Sequence, residues 1–148
     1  MTLLPRAAHF ALLAVLDVAL HARGRPVSSR ELAKRYDLPP RRLESLLQAL
    51  VRAGILKSLR GPSGGYELAR ERRRLTMGEI VRAALGVDDE SAARPQAASL
   101  NAILDPMLQE IEAGIFEQLE SVTLEELHFR ALADGFGETS ESGGHFEI

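Results

Sequence analysis

Between Pro39 and Ala69 the chain reads PPRRLESLLQALVRAGILKSLRGPSGGYELA, and few folds accommodate that order of signals. Leu43, Leu46, Leu47, Leu50 and Val51 recur at the i, i+3, i+4, i+7 spacing that gathers apolar side chains on one helix face. The opposite face carries Arg41, Arg42, Ser45, Gln48 and Arg52. Gly54 follows, supplying the left-handed conformation that commonly ends a helix. ILKSL and YEL, parted by RGPSGG, then read as two short strands of a β-hairpin with a basic tip. A basic, amide-bearing helix followed at once by such a hairpin implies a winged helix-turn-helix. Its helix fits the major groove of duplex DNA and its hairpin reaches along the phosphates.

The flanking segments complete that unit. Pro5 suits a first helical turn, and Phe10, Leu13, Ala14, Asp17, Val18 and His21 follow at helical spacing, predicting a helix to about Ala22 that ends before Gly24. Ser28 and Glu31 form a capping box, with Val27 and Leu32 as its hydrophobic staple, and start a helix SRELAKRYD whose Leu32, Ala33 and Tyr36 face inward. DLPP breaks it, so two helices meet across a short turn. Beyond the hairpin, Arg70–Arg74 is a charged turn. Thr76 and Glu79, with Leu75 and Ile80 as staple, open a short helix MGEIVRAAL that ends at Gly86.

Residues 1–86 are therefore expected to form the winged domain, and 87–99, VDDESAARPQAAS, a linker. Over 100–133 a second apolar stripe runs Leu100, Leu104, Met107 or Leu108, Ile111, Ile115, Leu119 and Val122. Its spacing of about 3.5 residues is that of a helix lying lengthwise on a partner. Pro106 predicts a kink, or a helix start capped by Asp105. Gln109, Glu110, Glu112, Glu117 and Glu120 lie outward. Thr123 and Glu126, with Val122 and Leu127, predict a third capping box and a final short helix to about Ala133. Residues 134–148 have the composition of a disordered tail. The stripe can cover its own domain or pair with its twin. The second is expected, because three helices and a hairpin already close the front core. The fold class is mainly α with a small β-hairpin wing, a winged helix-turn-helix plus a long dimerisation helix through Leu100, Leu104, Leu108, Ile111, Ile115 and Leu119.

Charge supports this division. The chain's net charge of −3 splits into +9 for residues 1–75, with fifteen Lys and Arg against six Asp and Glu, and −12 for residues 76–148, with three against fifteen. A basic front half is the footprint of a polyanion binder. The acidic half is expected to face away from DNA. No apolar run approaches a membrane span. The apolar N-terminus raises the question of a signal peptide, but Asp17 interrupts it, His9 and His21 flank it, and no charged segment precedes it. An amphipathic first helix and a cytoplasmic protein are expected. With no cysteine in the chain, disulfides, thiolate nucleophiles and cysteine-held metals are excluded.

The first helix AHFALLAVLDVALHA, the phrase LVRAGILKSLRG, the wing RGPSGGYELA, then LTMGEIVRAALG and the late VTLEEL together resemble the Rrf-two family of bacterial winged-helix transcriptional regulators, over roughly residues 3–130. The resemblance implies a homodimer repressing from a palindromic operator. It places DNA contacts at Arg41, Arg42 and Glu44 and the wing arginine at Arg60. Relatives often carry small or aromatic residues where this chain has Arg41 and Arg42, which leaves the operator open and makes the face more basic. Chemically, either arginine can fork onto guanine, Glu44 can accept from cytosine and Gln48 can pair with adenine, each good bidentate pair discriminating by roughly 1–3 kcal/mol. Ser45 shares that face and Lys57 lies on the hairpin. Ser28, with the N–H groups it caps, is expected to grip a phosphate. Gly61, Gly64 and Gly65 are expected to let the wing turn tightly and approach the duplex. For any single arginine the plain alternative is a solvated surface charge.

Many relatives sense iron, nitric oxide or redox state through an iron–sulfur cluster held by three cysteines. Those positions fall near Glu90, Gln96 and Ala102, none of them a thiolate, so a cluster of that kind is excluded. No cofactor is expected. His9 sits near an additional ligand position of some relatives and, with Asp88, Asp89 or Glu90, offers donors suited to zinc or manganese. No ligand spacing supports a metal, and a partly exposed helix histidine is the simpler reading. His21, His128 and His145 are scattered. A small-molecule or protein effector stays open. The reading from another class is a winged-helix module that docks an acidic protein. No nucleophile–base pair, phosphate loop or carboxylate cluster suggests an enzyme.

Overall fold

The computed structural model describes residues 3–21, 24–87 and 97–136. Its elements are α1 (Arg6–His21), α2 (Ser29–Tyr36), α3 (Pro40–Arg52), β1 (Leu56–Leu59), β2 (Gly65–Leu68), a 3-10 turn (Arg72–Arg74), α4 (Met77–Leu85), α5 (Ala98–Glu120) and α6 (Leu124–Ala133). The linker residues 88–96, with Asp88–Glu90 among them, and the tail from residue 137 lie outside the described residues. Among the described residues, no helix is long and apolar enough to cross a membrane.

Each front helix starts and stops for a local reason. Ser28 Oγ accepts from the Glu31 N–H at 3.1 Å while the Glu31 carboxylate accepts from the Ser28 N–H at 3.2 Å. Thr76 and Glu79 repeat the reciprocal pair for α4. Helix α3 ends in a Schellman motif: Gly54, at φ +74°, donates to Val51 O and Ile55 donates to Leu50 O, both at 3.0 Å. β1 and β2 pair antiparallel with Leu56 opposite Leu68 and Leu59 opposite Gly65. A third strand fragment joins them, because Val27 and Tyr66 exchange backbone hydrogen bonds of 3.0 and 2.7 Å. The segment leading into α2 is thereby tied to β2 near the turn end of the wing.

The core gathers Val15 and Val18 of α1, Leu32 of α2, Leu43, Leu46, Leu47 and Leu50 of α3, and Ile80 and Val81 of α4. Ala8, Ala11 and Ala14 give α1 a small-residue face that lets α4 pack closely on it. One charge is sealed into this interior. Asp17, 1% exposed, accepts from Arg35 Nη1 at 2.6 Å and from the Tyr36 hydroxyl, and His21 Nδ1 lies 3.4 Å from its Oδ1. Burial, then the hydrogen bond to Asp17 and its charge, push the Tyr36 phenol up to about 12. The network pins α2 to α1 from within.

Several expectations change in the second half. Helix α5 already begins at Ala98, inside the expected linker, and runs 23 residues through Pro106 rather than starting there. Thr123 caps α6 by accepting from the Glu126 N–H, but the Glu126 carboxylate turns outward to Arg130 at 3.1 Å, so only half of that box forms. The expected tail begins as ordered chain: Gly135 donates to Leu132 O and Phe136 to Ala131 O, closing α6 in a second Schellman motif. The front core is also larger than three helices and a hairpin. Leu124 is fully buried in it, Phe116 and Leu119 pack against it, and the Val122–Leu124 segment hydrogen-bonds to Leu75 and Met77.

Candidate nucleic-acid interface

Helix α3 presents two faces. Its leucines are buried, while Arg41, Arg42, Glu44, Ser45, Gln48 and Arg52 are all exposed. Pro39 caps it without a side-chain hydrogen bond and Pro40 occupies its first turn. The N–H groups of Arg41 and Arg42 therefore open the helix without a side-chain acceptor, and the positive end of the macrodipole sits beside two guanidinium groups. Glu44 lies on the wing side, where its charge, added to burial, raises the pKa of Tyr66.

The basic residues fall into two groups. Lys57 reaches Glu67 across the hairpin at 3.4 Å, Arg70 meets Glu79 at 3.0 Å, Arg73 meets Glu71 at 2.7 Å and Arg82 meets Glu120 at 3.1 Å. Arg41, Arg42 and Arg60 have no hydrogen-bond or ion-pair partner among the described residues. Arg30 and Lys34 are likewise unpaired and exposed, one turn apart on α2. They were missed in the sequence, although the i, i+4 basic pair in SRELAKRYD is visible there. In helix-turn-helix proteins the helix before the recognition helix crosses the DNA backbone, which is where unpaired cations count.

Two sequence expectations gain detail. Ser28 Oγ accepts from the Glu31 N–H and the Ser28 N–H donates to the Glu31 carboxylate, which puts a negative charge at the helix start where a phosphate was expected. Only the Ser29 and Arg30 N–H groups remain at that helix start. The glycines of the wing serve the wing itself. Gly64 donates to Gly61 O at 2.9 Å, and Gly61 takes φ +110° to close that turn. A Cβ on Gly64 would lie 2.3 Å from Leu59 O, and one on Gly65 would lie 2.5 Å from Val27 O. The close approach at Gly64 and Gly65 is thus to their own chain. Arg60, at the hairpin tip, is left exposed.

The expected seam divides in two. Leu100, Ile103, Leu104, Met107, Leu108 and Ile111 are 51–63% exposed. Ile115 is half-buried, and Leu119 packs against the front core. Ile103 was not read as part of the stripe.

This architecture agrees with comparisons to known proteins. The family described as "Rrf2: Iron-dependent Transcriptional regulator" matches residues 4–129. The chain belongs to the Rrf2 family. It is accordingly a DNA-binding transcriptional regulator and not an enzyme. A Haemophilus influenzae protein named as an HTH-type regulator is 40% identical over 74 residues, 50% of this chain and 49% of that one, so the match spans about half of that relative's length. The HTH-type regulator slr0846 of Synechocystis is 30% identical over 128 residues, covering 83% of this chain and 85% of that one. The solved structure of T. potens IscR superposes with a TM-score of 0.68 at 32% identity, covering 88% of each chain.

The Rrf2 description names iron, and the donor set here does not fit a cysteine-held cluster. The chain contains no cysteine. Of the three positions near which the family resemblance places cluster ligands, Glu90 and Gln96 lie outside the described residues and Ala102 is an exposed alanine on α5. Soft thiolates are what hold iron–sulfur clusters, and an alanine methyl offers no donor. His9 is exposed on α1, and its suggested partners Asp88–Glu90 also lie outside the described residues.

Proposed function

We propose that this Rrf2 protein is a homodimeric repressor that binds an inverted-repeat operator without an iron–sulfur cluster. The observation that carries the reading is the α5 face. Six large apolar side chains from Leu100 to Ile111 stand more than half exposed, on a helix whose far end is anchored to the winged domain. Exposed apolar area of this kind is removed from water by a partner, at roughly 25 cal/mol per Å². A second copy brings the same stripe, and the resulting two-fold axis matches a palindromic site. In this reading Arg41, Arg42, Glu44, Ser45 and Gln48 address base edges, while Arg60, Arg30 and Lys34 hold phosphates. Lys57, engaged with Glu67, contributes less.

Selection from a pool of random duplexes tests it. The expected winners are inverted repeats with half-sites about one helical turn apart or a multiple of it. Enrichment of single unrepeated sites, or no enrichment at moderate salt, would defeat the proposal. Placing the selected site across a promoter in a transcription assay then separates repression from activation.

A further inference from the structure

Helix α5 is fastened to the front domain at one end only. There Met77 donates to Val122 O at 2.9 Å and Leu124 donates to Leu75 O at 2.8 Å. Phe116 and Leu119 pack against the core, whereas every residue from 106 to 114 is exposed. The direction of the exposed part is therefore decided where α5 crosses α4, the helix it chiefly meets. One arginine holds that crossing by two contacts. The Arg82 guanidinium lies 4.0 Å from the centroid of the Phe116 ring and 3.1 Å from Glu120 Oε1, and those two residues stand one turn apart on α5. Gly78, one turn before Arg82 on α4, lets Glu120 close in, since a Cβ there would collide with the Glu120 side chain.

From Phe116 to Leu104 the helix rises about 18 Å, so a change of about 10° in its direction displaces Leu104 by about 3 Å. That is close to the rise of one base pair, about 3.4 Å. Each added base pair also rotates one half-site by about 35° against the other. A dimer whose α5 helices are firmly held accepts one spacing, and a dimer whose helices swing accepts several. The geometry points to Arg82 as a positioning residue for operator spacing, acting through Phe116 and Glu120 rather than on a base. Its side chain is 56% exposed, and exposed ion pairs and cation–π contacts add little stability, so its loss should leave the fold intact. The inference rests on the dimeric reading above.

The test compares the full chain with its Arg82→Ala and Arg82→Lys variants on inverted-repeat duplexes built from the selected half-site. Spacing is held at the optimum, then lengthened and shortened by one and two base pairs. The unsubstituted chain should prefer its optimum over the neighbouring spacings by roughly tenfold, and Arg82→Ala by roughly threefold or less. Arg82→Lys keeps a cation for the ring and the carboxylate and should retain most of the preference. All three should sediment as dimers and melt together. An Arg82→Ala variant that keeps the full preference, weakens equally at every spacing, or separates into monomers would overturn the assignment. So would an Arg82→Lys variant that behaves as alanine does. A chain that is monomeric, or indifferent to inverted repeats before any substitution, would sink the dimeric reading and this inference with it. Spacing preference untouched by Arg82→Ala would sink this inference alone.

Discussion

Asp17 shows how strongly one side chain can tie two helices together. Its carboxylate is wholly shielded from solvent, while the Arg35 guanidinium that holds it keeps 33% exposure. The two partners therefore differ in what their loss leaves behind. Arg35→Met strands a buried carboxylate and should cost about 3–5 kcal/mol. Asp17→Asn leaves an arginine able to turn toward water and should cost nearer 1–2 kcal/mol. Urea unfolding of both variants measures the difference, and a larger loss from Asp17→Asn would contradict this account. Tyr36 adds a pH dependence. Its folded pKa is raised from 10.0 to about 12, so the neutral phenol is the form favoured by folding. That contribution is complete below pH 10 and is lost as pH rises through about 12. Near-ultraviolet titration should show a late phenolate transition that Tyr36→Phe removes. On the DNA side, Arg60→Ala should weaken all duplexes and lower the salt slope by about 2, roughly 0.9 for each copy in a dimer. Glu44→Ala should instead relax preference at one base pair per half-site. Equal losses from both variants on every sequence would argue against these roles.

At the scale of elements, what was legible in the sequence was whatever is local. The α3 stripe, the Gly54 stop, the hairpin and the two complete capping boxes all involve residues within one or two turns of each other, and they form as expected. What escaped notice depends on distance along the chain. Asp17 falls in the periodic stripe of α1, but Arg35 and Tyr36 meet it across 18 and 19 residues, so the pairing that keeps it buried leaves no local trace. The Val27–Tyr66 pair that ties the wing to the start of α2 is likewise long-range. The α5 stripe looks uniform in sequence, yet Leu119 and Phe116 serve the chain's own core while Leu100 to Ile111 do not. A periodic pattern reports which face is apolar, not which body covers it. The exposure of the α3 basic face and of Arg60 was legible in the sequence, whereas the negative charge that Glu31 brings to the start of α2 went unweighed, although the capping box that places it is local. For α5 the expected outcome is specific. Leu104→Glu combined with Leu108→Glu should yield monomers with unchanged winged-domain melting, because neither side chain touches the front core. A coincident fall in melting temperature, seen by calorimetry, would show that the stripe covers its own domain instead.

For the whole molecule, charge and shape point in the same direction. Residues 1–75 carry +9 and residues 76–148 carry −12, so a duplex is drawn toward the head and kept off the α5 stalk. Reading the same short element twice, on a two-fold axis, is what turns a few base contacts into usable specificity. Equilibrium sedimentation of the full chain, alone and with one equivalent of the selected duplex, tests this most directly. The account predicts twice the chain mass of 16.2 kDa in free solution and two chains on each duplex. A single chain in both states would contradict it.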